Sequence, residues 1–134
     1  MKTKLIAITL LFTIALCSSC SKEKSAFDYP MTTLYGTWKA VSIQSDGKWY
    51  DVTKYPYTKF GMSITFYKDG TFYGSGYFGN GSGTYKAKGK TITTYIDGKE
   101  YFVYTVNSLS NDMADLNMSD GKGLIRIKAE KQYY

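Results

Sequence analysis

The side chains that most often perform chemistry are absent or committed elsewhere in this chain of 134 residues. There is no histidine, which removes the commonest general base and the commonest neutral metal ligand. No serine can therefore be paired with an imidazole for nucleophilic attack. Two carboxylates could in principle share acid–base work, but Asp46, Asp69, Asp97 and Asp120 each precede a glycine. In that setting an aspartate side chain bonds the backbone of its own turn. Asp51, Glu100, Asp112, Asp115 and Glu130 fall at strand ends or on outward positions. No spacing matches a calcium loop or a zinc site. Gly74-Ser75-Gly76-Tyr77-Phe78-Gly79 satisfies G-x-G-x-x-G, yet a dinucleotide site needs that loop to open a helix, and turns and strand formers follow here. The expectation is no catalysis, no cofactor and no metal.

What remains is binding chemistry. Aromatic residues make up 17% of the chain, fourteen of them tyrosine. Tyr55 and Tyr57 crowd one loop with Trp49, Tyr50 and Pro56. Tyrosine has an apolar body and a polar tip, so it suits half-wet surfaces and ligand rims. The charge balance is basic, 17 cationic against 11 acidic side chains. Lys86, Lys88 and Lys90 gather around one turn, but no aromatic–basic module of the nucleic-acid-binding kind is present. Nucleic acid is not an expected partner.

The N-terminus gives an address. Lys2 and Lys4 precede an apolar run from Leu5 to Leu16, followed by small residues and Cys20. A charged start, a short apolar middle and a small-residue cleavage site form a secretory signal. The run is too short to span a bilayer, which takes about 20 apolar residues. Leu16-Cys17-Ser18-Ser19-Cys20 resembles a bacterial lipobox. That resemblance implies removal of residues 1–19, lipidation of Cys20 by acyl chains such as palmitate, and anchoring to a bacterial envelope membrane, the outer membrane first. Each buried CH2 contributes roughly 0.8 kcal/mol, so several acyl chains hold a protein almost permanently. With its only remaining cysteine lipidated, the exported chain has no disulfide and must be held by its own core. Residues 20–33 lack a sustained period and read as a lipidated tether.

Residues 34–134 read as one domain. Asp-Gly pairs at 46, 69, 97 and 120, with Asn80-Gly81 and Lys88-Gly89, mark hairpin turns. Between them lie nine short runs rich in Thr, Tyr, Phe, Ile and Val. No helical period intervenes. The fold class is all-β: an up-and-down antiparallel meander of eight to nine strands, closed to remove its edges. Alternation sends Phe60, Met62, Ile64 and Phe66 inward, with Phe102, Tyr104 and Val106, then Ala114, Leu116 and Met118, then Ile125, Ile127 and Ala129. The turn at Asp69-Gly70 leaves two registers. A two-residue turn faces Tyr73, Ser75 and Tyr77 toward the apolar side. A turn with a glycine bulge, which pairs Phe66 with Phe72, faces Phe72, Gly74, Gly76 and Phe78 there and is preferred. The side-chain-free space at Gly74 and Gly76 then serves a ligand or a neighbouring ring.

Gly36-Thr37-Trp38 at the start of the meander resembles the lipocalin signature. With Ile-Thr-Phe at 64–66, Asp-Gly-Thr-Phe at 69–72, Gly-Thr-Tyr at 83–85 and Gly-Lys-Thr-Ile at 89–92, the domain is similar to the lipocalin-like (calycin-like) domains of small lipoproteins from Bacteroidetes-type bacteria. The resemblance implies a small β-barrel. It also implies that Trp38 packs at the closed end under an arginine of the last strand, here Arg126. Strict alternation from Ile125 and Ile127 puts Arg126 on the outer face, so that contact needs a bulge or packing outside the closed end. Two functions remain open. In one, the barrel holds a small apolar or amphipathic ligand, with Tyr55, Tyr57, Phe60, Met62, Phe66, Phe72, Tyr85 and Tyr104 as candidate interior and mouth residues. In the other, a filled barrel binds a glycan or an envelope protein through exposed aromatic residues.

Overall fold

The structure is a computed structural model and describes residues 26–133. The expected signal at 1–19, the expected lipidation at Cys20 and the first residues of the tether lie outside the described residues. All nine runs are strands: β1 (Gly36–Ser45), β2 (Lys48–Asp51), β3 (Met62–Phe66), β4 (Thr71–Gly76), β5 (Gly81–Lys88), β6 (Thr91–Ile96), β7 (Lys99–Leu109), β8 (Met113–Ser119) and β9 (Leu124–Gln132). Neighbours pair antiparallel, and β9 returns to pair with β1. Eight strands thus close into a barrel. The ninth, β2, pairs with the second half of β1, while β3 takes the first half.

The turns carry the chemistry their sequences demand. Asp46-Gly47 and Asp97-Gly98 both adopt positive φ at each central residue, 52° and 78° in one, 55° and 77° in the other. That backbone follows the right-handed twist of paired strands. At Asp69-Gly70 the bulged register is the one observed: Phe66 lies opposite Phe72, and Ile64 opposite Gly74. Phe72 is buried and Tyr73 exposed, as that register requires.

The inward sets meet in one core of Trp38, Ile64, Phe66, Phe72, Tyr85, Ile92, Tyr104, Val106, Leu116, Met118 and Ile127, with smaller residues between them. Phe66 is its hub. Its ring meets Tyr85 edge-on at 4.9 Å and Tyr104 at 6.4 Å between centroids. In β1 a bulge between Ala40 and Ser42 shifts the parity. Trp38 and Ala40 therefore point inward before it and Ile43 after it.

Before β1 the chain is not the free tether expected for residues 20–33, at least from Ala26 on. Asp28 N–H donates to the Gly89 carbonyl (2.8 Å) and Gly89 N–H to that of Ala26 (2.9 Å), a short parallel bridge at the β5–β6 turn. A single helical turn, α1 (Met31–Leu34), follows. Phe27, Tyr29 and Met31 pack partly buried against the core, and Leu34 is fully buried. Apolar residues spaced along a polar segment thus make a strap that stoppers one end of the barrel. The signal was present in Phe27, Tyr29, Met31 and Leu34, four apolar side chains that a solvated tether would expose at a cost.

Two buried tyrosines separate packing from hydrogen bonding. Tyr85 Oη donates to the Tyr67 carbonyl at 2.8 Å, and burial pushes its phenol up to about 12. The hydroxyl of Tyr104, a residue 4% exposed, has no hydrogen-bond partner among the described residues, and burial drives its phenol far upward. Tyr85→Phe is expected to lower unfolding free energy by about 1 kcal/mol, the usual net value of such a bond. Tyr104→Phe is expected to cost nothing or to stabilise slightly. Urea denaturation of the two variants beside the parent checks both.

Candidate functional site

The two ends of the barrel differ. At the strap end, the Trp38 indole N–H donates to the Leu34 carbonyl at 2.8 Å. Over the ring sits Lys131, its Nζ 5.0 Å from the ring centre and donating to the Thr33 carbonyl at 2.8 Å. Gly36 stands at φ +123°, and a Cβ there would meet the Lys131 stem at 3.5 Å. The glycine of Gly-Thr-Trp thus allows a backbone turn and the passage of a lysine stem. Burial lowers the Lys131 ammonium's pKa, partly opposed by Asp112.

The expected stacking of Arg126 on Trp38 does not occur. Arg126 lies on the outer face, where Nε and Nη2 reach both oxygens of Asp115 at 2.8 Å. Its guanidinium also lies 5.7 Å from the ring centre of Trp49 on β2. The physical reason is parity. Positions 125, 127, 129 and 131 share the inward side of β9, so the residue that reaches Trp38, its register partner, is Lys131. A cation capping the closed-end tryptophan is present, but it is a lysine five residues further on.

At the other end lies an open recess of about 420 Å³ lined by Ile43, Ser45, Tyr50, Val52, Tyr57, Phe60, Tyr77, Phe78 and Ile125. Its rings lock edge to face: Tyr50 with Tyr57 at 5.0 Å, Phe60 with Tyr77 at 4.8 Å, and Tyr77 with Phe78 at 5.0 Å. The loop between β2 and β3, with the 3-10 turn Thr58–Phe60, swings Tyr57 and Phe60 over the opening. A second recess of about 270 Å³ shares Phe78 and Ile125 with the first and adds Phe102, Met118, Asp120, Gly123 and Leu124.

The sequence-predicted residues divide between these surroundings. Tyr57 and Phe60 line the mouth. Tyr55, from the same loop, is 90% exposed and takes no part in the lining. Phe66, Phe72, Tyr85 and Tyr104 are fully buried core. Met62 and Tyr104 border a void of only about 10 Å³ in mid-barrel, room for about one water. The space foreseen at Gly74 and Gly76 is filled. A Cβ at Gly74 would find the Phe72 ring at 4.0 Å, and one at Gly76 would collide with the backbone of Gly61 and Met62. Open volume lies above the core, at the mouth. Tyr77, Phe78 and Ile125 also line the recess, beyond the candidate mouth residues that the sequence singles out. The bulged register sends Phe78 inward with the parity of Phe72, and it packs against the core at the floor of the recess.

No group of three or more potential metal ligands occurs among the described residues. Asp51, Asp69 and Asp120 are held by nearby backbone amides or hydroxyls, whereas Asp46 and Asp97, expected to bond their own turns, make no side-chain hydrogen bond among the described residues. Thr53 bonds lower Asp51 and Thr71 bonds lower Asp69, while the Gly123 and Lys122 amides lower Asp120. Carboxylates committed in this way stay ionised and accept protons poorly at neutral pH.

A family model described as lipocalin-like domain matches residues 34–113. The chain belongs to the lipocalin-like domain family. No curated protein matches it at a significant level. The match takes in β1 through β7, and in this lipocalin-like domain β8 and β9 complete the cylinder beyond it. The family is generally one of non-enzymatic binding proteins, and the fold suits the uptake of small ligands.

The outer pair tests the electrostatics of the correction. Hydrogen bonds from Arg126 hold the Asp115 carboxyl below its ordinary value of 3.8, with help from Asn107 and Lys128 against some burial. A depressed folded-state pKa contributes stability above the unfolded-state value and loses it as pH falls through the folded one. Asp115→Asn is therefore expected to be less stable than the parent at pH 7. The gap should close as pH drops below about 3.8, read from urea midpoints across an acid series.

Proposed function

We propose that this chain is a membrane-anchored, non-catalytic binding protein of a bacterial envelope, holding a small apolar or amphipathic molecule in the open end of its barrel. One observation carries the reading. The cylinder is packed solid in its middle, yet it opens at one end into a ring-lined recess of about 420 Å³, within the range of small-molecule sites. Few polar groups intrude on the lining, which suits ligands driven in by burial of apolar surface. Non-catalytic action is supported by the commitment of Asp51, Asp69 and Asp120 to their own loops and by the absence of histidine. Anchoring is supported by the lipobox-like run ending at Cys20 and the short apolar signal before it; the envelope address, outer membrane first, follows from them.

A second reading has its own observation. Trp49 on β2 is partly exposed on the outer face, with Lys128 Nζ at 4.6 Å and Arg126 at 5.7 Å from its ring centre. An outer aromatic beside fixed polar groups is the surface an envelope protein or a glycan would use. A glycan array and an envelope pull-down with Trp49→Ala as control address it; binding lost in that variant favours this reading.

Ser45 stands on the rim of the recess and is exposed, so a larger side chain there can fill the opening without disturbing the core. Ser45→Trp is expected to weaken binding of a polarity-sensitive naphthalene sulfonate dye at least about tenfold, about 1.4 kcal/mol. Tyr55→Ala, outside the lining, should leave it unchanged. Equal dye binding by all three proteins removes the recess from the argument. The anchor is tested separately. Cys20→Ser, expressed in a bacterium that processes lipoproteins, should move the protein from the membrane to the soluble fraction and remove the acyl mass from its N-terminus. An unmodified parent chain in the soluble fraction would refute anchoring.

A further inference from the structure

Rings around an open recess are one way to hold a cation, because each aromatic face is electron-rich. Here two such faces are already engaged. Lys48 Nζ lies 5.8 Å from the centre of Tyr50 and Lys59 Nζ 5.3 Å from that of Phe60, and both rings line the recess. Neither lysine makes an ion pair among the described residues, whose ion pairs are Lys54–Asp51 and Arg126–Asp115. Of the carboxylates around this end, Asp51 is bound to Thr53 and faces Lys54. Asp120, at the second recess, accepts the Lys122 and Gly123 amides at 2.8 and 2.9 Å. Asp46 shares the turn of Lys48, and Asp97 and Glu100 belong to the β6–β7 hairpin. The ring-lined recess thus has two unpaired ammonium groups over its lining. The apolar floor continues past Phe78 and Ile125 into the second recess, against Phe102 and Met118.

We infer that the ligand of the mouth is an anionic amphiphile, its acidic head between Lys48 and Lys59 and its apolar body lying across Phe78 into the second recess. This rests on the barrel-mouth reading above. A unit charge about 6 Å from another in a water-like medium changes binding by roughly threefold. Two lysines therefore favour an anion over a neutral twin by about tenfold and disfavour a cation. The preference shrinks as salt screens the exposed ammonium groups.

The test is calorimetric titration of the soluble domain-bearing chain, Cys20→Ser, with three dodecyl probes below their micellar concentrations: dodecanoate, its glycerol ester and dodecyltrimethylammonium. At low salt, dodecanoate is expected to bind about tenfold more tightly than the ester and the cation most weakly. In Lys48→Gln/Lys59→Gln, dodecanoate should weaken toward the ester while the ester is unchanged. Both lysines are exposed, so the fold is not at stake, and rising salt on the parent protein gives the same contraction without a substitution. Equal binding of all three probes, or a preference that survives the double substitution or high salt, overturns the anionic assignment and leaves the mouth as a general apolar site. Failure of every probe to bind overturns both.

Discussion

The return of β9 to β1 is the interaction on which the rest depends. β1 gives one edge wholly to β9, from Thr37 opposite Gln132 to Gln44 opposite Arg126, and divides the other between β3 and β2. With that pairing the backbone donors and acceptors of the first and last barrel strands are satisfied, and no long edge is left to template another chain. Closure also gives side-chain alternation its force: between bulges, every inward position must share one narrow interior. No choice of rotamer can rescue a residue of the wrong parity, which is why Arg126 stays outside and Lys131 caps the tryptophan.

The interior divides by depth. In the middle, Phe66, Tyr85, Tyr104, Ile92 and Leu116 fill the cylinder to near-solid density, as an eight-stranded barrel of this width allows. Toward the mouth the strands end unevenly. β3 stops at Met62 and β4 at Gly76, and the loop after β2 supplies Tyr57 and Phe60 instead. Phe60 from that connection and Tyr77 from the one after β4 meet edge to face at the rim, and the recess opens beside them. The recess is thus a product of strand ends and a long connection, and its depth is set by where the packed rings begin. Small binding cavities above a solid core keep the scaffold stable while leaving the rim free to vary.

Much of the architecture could be read directly from residue types. The aspartate-glycine turns, the strand-forming runs and the period-two alternation locate all nine strands, and the preference for pairing Phe66 with Phe72 settles a register that turn length alone leaves open. The site was less legible because it depends on how loops fold over an end, which alternation does not describe. Tyr55 and Tyr57 are two residues apart with identical side chains, yet one lines the recess and the other points into solvent. The strap is hidden in the sequence for a different reason. Four apolar residues between Phe27 and Leu34 have no regular period, so only the tertiary surface they cover explains them. Arg126 shows the limit of a borrowed role: the capping cation is set by strand parity, and the identity of the side chain is secondary.

The strap fixes a direction. Ala26 is bonded at Gly89, on the end of the cylinder opposite the ring-lined recess. Whatever precedes it joins the barrel from behind. From the proposed anchor at Cys20 to Ala26 the backbone reaches no more than about 20 Å, so a fatty tail there would hold the solid end toward the lipid surface and turn the opening outward. Cargo would then arrive through water or from a facing body, and lipids of the anchoring leaflet would have no direct way in.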